Sequence, residues 1–71
     1  MKIIVKGLPN GNLKVIAEYN GQECSKEIKA VPMLPYIVVT ASLNKVLVSA
    51  YGKVLVINMV PSLSCSLAGA P

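Results

Sequence analysis

YIVVTASLNKVLVSAYGKVLVINMV, residues 36–60, is apolar at both alternating positions and is broken only at Asn44-Lys45 and Gly52-Lys53. Ten of its 25 residues are β-branched: Ile37, Val38, Val39, Thr40, Val46, Val48, Val54, Val56, Ile57 and Val60. Such side chains lose χ1 freedom in a helix but fit a pleated surface, so the tract reads as strand. A membrane-spanning helix needs about 18 or more apolar residues in a row. Lys45 and Lys53 cut this tract into strand-length pieces instead. Ser42-Leu43-Asn44-Lys45 and Ala50-Tyr51-Gly52-Lys53 read as the turns between them.

Side chains alternate across a strand. Leu55, Ile57 and Met59 therefore oppose Val54, Val56 and Val60, and neither set is polar. Val46, Val48 and Ala50 oppose Lys45, Leu47 and Ser49. Ile37, Val39 and Ala41 oppose Tyr36, Val38 and Thr40. A sheet with one wet face shows polar residues at every second position. This meander is expected to be covered on both sides, with part of the cover supplied by a neighbour.

Upstream, Lys2 to Lys6 reads as a first strand, stopped by Gly7-Leu8-Pro9-Asn10-Gly11, where proline and two glycines favour a turn. Asn12 to Tyr19 reads as a second strand running into Tyr19-Asn20-Gly21-Gln22. Asn-Gly suits the positive φ angles of a type I′ hairpin. A two-residue loop there sets Tyr19 opposite Gln22, Ala17 opposite Cys24, Val15 opposite Lys26 and Leu13 opposite Ile28. One face of the hairpin is then mainly apolar, and the other sets Lys14 against Glu27 and Glu18 against Glu23. Val31-Pro32-Met33-Leu34-Pro35 reads as a crossover between sheets, with Met33 and Leu34 closing one end of the core.

Two segments follow: a single β domain over 1–60 and a C-terminal tail over 61–71. In the tail Ser62, Ser64 and Ser66 alternate with Leu63, Cys65 and Leu67, the period of a half-buried strand. The tail is either a seventh strand or an arm laid along a neighbouring subunit, since Pro61 lets it leave the preceding strand. The arm is preferred, because Ala68-Gly69-Ala70-Pro71 offers nothing to anchor it. The fold expected is all-β: a small two-sheet antiparallel sandwich, immunoglobulin-like, or a partly open β-barrel of six to seven short strands.

With 71 residues the chain holds one domain near the size where a single core is marginal. Yet 54% of its residues are hydrophobic and only 14% charged, which again points to cover from outside. The net charge of +4 comes from seven Lys and three Glu, with no Arg, Asp or His. The lysines are dispersed, and lysine lacks the planar fork with which arginine grips phosphates and base edges. Placed before aliphatic runs, as at Lys2, Lys14, Lys45 and Lys53, they keep sticky strands soluble during folding.

Cys24 and Cys65 are either a disulfide or two buried thiols, and the thiol reading is preferred. Without His or Asp they cannot hold a zinc ion. There is no His or Asp, no nucleophile has a base beside it, and no glycine-rich phosphate loop is present. The expectation is no enzyme, no cofactor, no metal, no small-molecule substrate and no membrane span. MKIIVKG has too short an apolar run for a signal peptide, so cytoplasmic synthesis or a place in a virion is expected.

In layout, the succession of six or seven short strands with an Asn-Gly hairpin resembles the compact immunoglobulin-like accessory modules of tailed-phage virions. The resemblance covers most of residues 1–60. It implies a non-enzymatic decoration, cement or minor structural protein present in many copies. Self-association, or docking on a larger protein assembly, is then expected through Val54, Val56, Val60, Leu63, Cys65 and Leu67. The alternative is a small basic β-barrel that stacks single-stranded bases on Tyr19, Tyr36 and Tyr51.

Overall fold

The computed structural model describes residues 1–69. Seven strands form two antiparallel sheets. The first sheet holds β1 (Lys2–Gly7), β2 (Leu13–Tyr19) and β3 (Gln22–Ile28) in the order β1-β2-β3. The second holds β4 (Val38–Ala41), β5 (Lys45–Ala50), β6 (Lys53–Asn58) and β7 (Ser64–Gly69) in the order β4-β5-β6-β7. The architecture is thus a small two-sheet sandwich, not a barrel. Its connectivity is two successive meanders, whereas immunoglobulin domains thread the chain back and forth between their sheets.

Two hairpins set the register. Asn20 and Gly21 have φ of 52° and 74°, both central positions being left-handed as a type I′ turn requires. Tyr19 pairs with Gln22, Ala17 with Cys24, Val15 with Lys26 and Leu13 with Ile28, as the hairpin sequence predicts. Tyr51 and Gly52 repeat the geometry between β5 and β6, with φ of 53° and 72°. A tyrosine at positive φ is unusual. It is held there by its partners: the ring packs on the core, and its hydroxyl donates to the Gly11 carbonyl oxygen at 3.2 Å.

That contact corrects the expected lid. Met33 and Leu34 do not close the core; they are 61% and 87% exposed. The linker crosses the end of the sandwich between β3 and β4, and Tyr51 plugs that end. Asn12 pins the start of the linker: its Oδ1 accepts from the Ala30 N–H at 2.9 Å, while its Nδ2 donates to the Glu27 carboxylate. Asn12→Ala removes both bonds and is expected to cost about 1–2 kcal/mol. A urea titration should show a lower midpoint with an unchanged slope.

The core consists of Leu13, Val15, Ala17 and Ile28 from the first sheet against Val46, Val48, Ala50, Leu55 and Ile57 from the second. On β5 and β6 only alternate positions are buried; Leu47, Ser49, Val54 and Val56 are half-buried and Lys45 is exposed. Two layers enclose one face of each sheet, and among the described residues no segment overlies the other face, so the cover expected there is not supplied by those residues. β4 is exposed along its whole length, because a three-stranded sheet cannot roof a four-stranded one. This strand also starts later than expected, at Val38, since β5 reverses at Tyr51 and leaves Tyr36 without a partner opposite.

The tail is strand, not arm. After Asn58 the chain turns through Met59–Leu63, with a cis Val60–Pro61 peptide, and β7 pairs back on β6 from Asn58↔Ser64 to Lys53↔Gly69. What anchors it is the backbone ladder together with a covalent bond. Cys24 on β3 and Cys65 on β7 form a disulfide with a Cα separation of 5.8 Å, so the preferred free-thiol reading is corrected too. Ala70 and Pro71, the end of the expected arm, lie outside the described residues.

Candidate functional site

The register divides the six residues expected at an interface between two faces. Val54 and Val56 point outward from the second sheet, beside Ser49 and Leu47 on β5 and Ala68 and Ser66 on β7. Cys65 and Leu67 lie opposite Ile57 and Leu55 and so share the inner face. Cys65 is spent in the disulfide, while Leu67, at the sheet margin, is 45% exposed. Leu63 packs against the core, and its N–H donates to Gln22 Oε1 at 3.2 Å. Val60, in the loop before β7, is 60% exposed. The six do not form one patch; Val54 and Val56 alone belong to a continuous surface.

That surface differs sharply from its counterpart across the molecule. The outward positions of the first sheet carry Lys2, Ile4 and Lys6 on β1, Lys14, Ile16 and Glu18 on β2, and Glu23, Ser25 and Glu27 on β3, so that charges surround a central Ile4–Ile16 pair. The outward positions of the second sheet carry Val38 and Thr40, Leu47 and Ser49, Val54 and Val56, and then Ser66 and Ala68, with Lys45 at one corner as its charge. One face carries six charges around one isoleucine pair. The other is aliphatic with small hydroxyls and sits half-exposed.

A second apolar feature adjoins it. No charged residue occurs from Ala30 to Asn44, and within this span Met33, Leu34, Tyr36, Ile37, Val38, Val39 and Leu43 are all exposed. Sequence periodicity did not find this strip, because it had placed β4 inside a covered sheet. The observation that could have found it is the absence of charge on a strand at a sheet edge, where proteins ordinarily place lysine or proline.

The three tyrosines are dispersed. Tyr51 plugs the end of the sandwich near Gly11, just before β2 begins, whereas Tyr19 closes the far end of that strand, roughly 20 Å away at the rise of an extended chain. Tyr36 stands in the linker, 80% exposed. They share no platform on which successive bases could stack. Among the described residues, no three His, Cys, Asp or Glu side chains converge as metal ligands, and no helix is long and apolar enough to cross a membrane. No family model, curated protein or solved structure matches the chain.

Proposed function

We propose that this protein is a non-enzymatic structural subunit that packs against copies of itself or a larger protein assembly, in the manner of a virion decoration or minor structural protein. The observation that carries the reading is the contrast between the two outer faces: six charges on the first sheet, and on the second an aliphatic field around Leu47, Val54 and Val56. Exposed aliphatic area costs free energy in water at roughly 25 cal/mol per Å², and a partner laid over it recovers that cost. The Cys24–Cys65 disulfide favours a particle that lives in an oxidising setting, such as a virion surface, over one kept in the reducing cytosol.

Val56→Lys tests the reading. Val56 is half-buried, so the fold survives the change, with the lysine stem lying along the sheet and its ammonium in water. The far-UV circular dichroism should be unchanged while the mass measured by light scattering falls. An unchanged mass would remove the second sheet's outer face from consideration. Salt-sensitive binding of single-stranded oligonucleotides by the parent chain would instead favour the nucleic-acid alternative.

A further inference from the structure

We propose that a second copy of this chain docks on the free edge of β4, the two strands running antiparallel about a two-fold axis at Val39, so that two four-stranded sheets become one of eight. The inference rests on the assembly reading and names the occupant of one part of its surface.

The backbone supplies the first argument. The Ser42 N–H donates to the Lys45 carbonyl oxygen at 2.9 Å across the β4–β5 turn. In an antiparallel ladder, hydrogen-bonded and non-bonded pairs alternate. Thr40 opposite Leu47 and Val38 opposite Ser49 are then bonded pairs, and the N–H and C=O groups of Ile37, Val39 and Ala41 point to the unoccupied edge. Two copies related by a two-fold axis satisfy these groups mutually, with Val39 opposite Val39 and Ile37 opposite Ala41. The pairable run from Tyr36 to Ser42 fits between Pro35, which has no N–H to give, and the turn.

Charge supplies the second. A chain of net charge +4 meets its own copy at lower electrostatic cost through a charge-free surface than through one carrying lysines. Residues 30–44 provide a charge-free surface. The β1 edge is flanked by Lys2 and Lys6, and β3 carries Glu23, Lys26 and Glu27. β7 lacks charge but offers serines and small residues, with Leu67 as its exposed large apolar side chain. β4 is the edge that is both uncharged and apolar.

Exposure and shape supply the third. The large apolar side chains of the pairable run, Tyr36, Ile37, Val38 and Val39, are all exposed and are covered when a second copy's strand lies alongside. Because the first sheet is one strand narrower, the inward side of β4 is an unroofed ledge, and Val39 is 51% exposed although it points inward beside buried Val48. Two such ledges joined edge to edge set the two valines side by side and shelter each behind the other copy.

Two single substitutions in the full chain test the arrangement. Val39→Cys places a thiol on the axis, where the Cα atoms of a bonded pair stand about 5.5 Å apart, within disulfide reach. The native cysteines are already joined and do not compete. Leu43→Cys is the control: it is 91% exposed, yet the two copies of residue 43 lie on the order of 25 Å apart in the paired strands. On non-reducing gels the Val39 variant should form covalent dimer at least ten-fold faster than the Leu43 variant. Val39→Lys sets two ammonium groups against each other and should halve the mass of the parent assembly at unchanged circular dichroism.

Equal cross-linking at both positions overturns the proposal. So does a parent mass that climbs without limit with concentration, which would signal head-to-tail growth of β4 on the β7 of another copy. A parent that is oligomeric but indifferent to Val39→Lys overturns this edge while leaving the outer-face reading intact. A parent that is monomeric at every concentration and binds no other protein overturns both.

Discussion

Replacing both cysteines, as Cys24→Ala with Cys65→Ala, is expected to lower the stability of this chain by about 4 kcal/mol, since the bond closes a long loop with a sequence separation of 41. The bond acts mainly on the unfolded ensemble, whose freedom it restricts. A domain of this length is stable by only about 4–10 kcal/mol in all, so the variant stands near its folding threshold. In thermal unfolding the midpoint should fall by roughly 20 °C. The urea slope should rise as the untethered denatured state expands and exposes more surface. Should the double variant unfold within 1 kcal/mol of the parent, the two sulfurs are not joined in solution and the β3–β7 seam is held by packing alone.

Adjacent residues on β6 should respond to the same truncation in opposite degree. Ile57 is fully buried, facing the core with Leu55, while Val56 faces outward and is half-buried. Ile57→Ala removes buried methyl groups and leaves a cavity that the two sheets cannot close, at a cost of about 2–5 kcal/mol. Val56→Ala leaves no enclosed void and should cost under about 1 kcal/mol when measured on the single chain. Paired urea titrations would read both. The difference between them tests the register itself, because a shift of one residue moves every side chain of the strand to the other face. If Val56→Ala proves the costlier, β6 is assigned to the wrong register and the aliphatic field on the outside does not exist.

How much of this was legible beforehand depends on the range of the interaction. The Asn20-Gly21 and Tyr51-Gly52 turns fix their hairpins locally, so the strands around them and the pairing of Leu13 with Ile28 follow from sequence alone. The break between the halves followed as well, because Pro32 and Pro35 interrupt pairing between Ile28 and Val38, while the choice of two sheets over a partly open barrel did not. The Cys24–Cys65 bond did not. Alternation placed Cys24 with Ala17 and Val15, and Cys65 with Leu63 and Leu67, but only the stacking of β3 over β7 turns the two toward each other. The same long-range information was missing for the candidate surface. Alternation separated Val54 and Val56 from Leu55 and Ile57 correctly; which set met the other sheet, and that β4 would lie beyond its margin, depends on a width mismatch between layers that no local pattern records.

The two meanders share no ladder. Every strand pairing closes within residues 2–28 or within residues 38–69, and the halves meet through side chains, the Tyr51–Gly11 and Leu63–Gln22 hydrogen bonds, and one covalent bridge. A nick in the exposed Met33-Leu34 segment would therefore break no hydrogen bond of either sheet, and the fragments would stay tethered through sulfur. Each half carries its own register instructions. The peptide between them serves chiefly to keep their concentration high until they dock, a task that the oxidised thiols then take over.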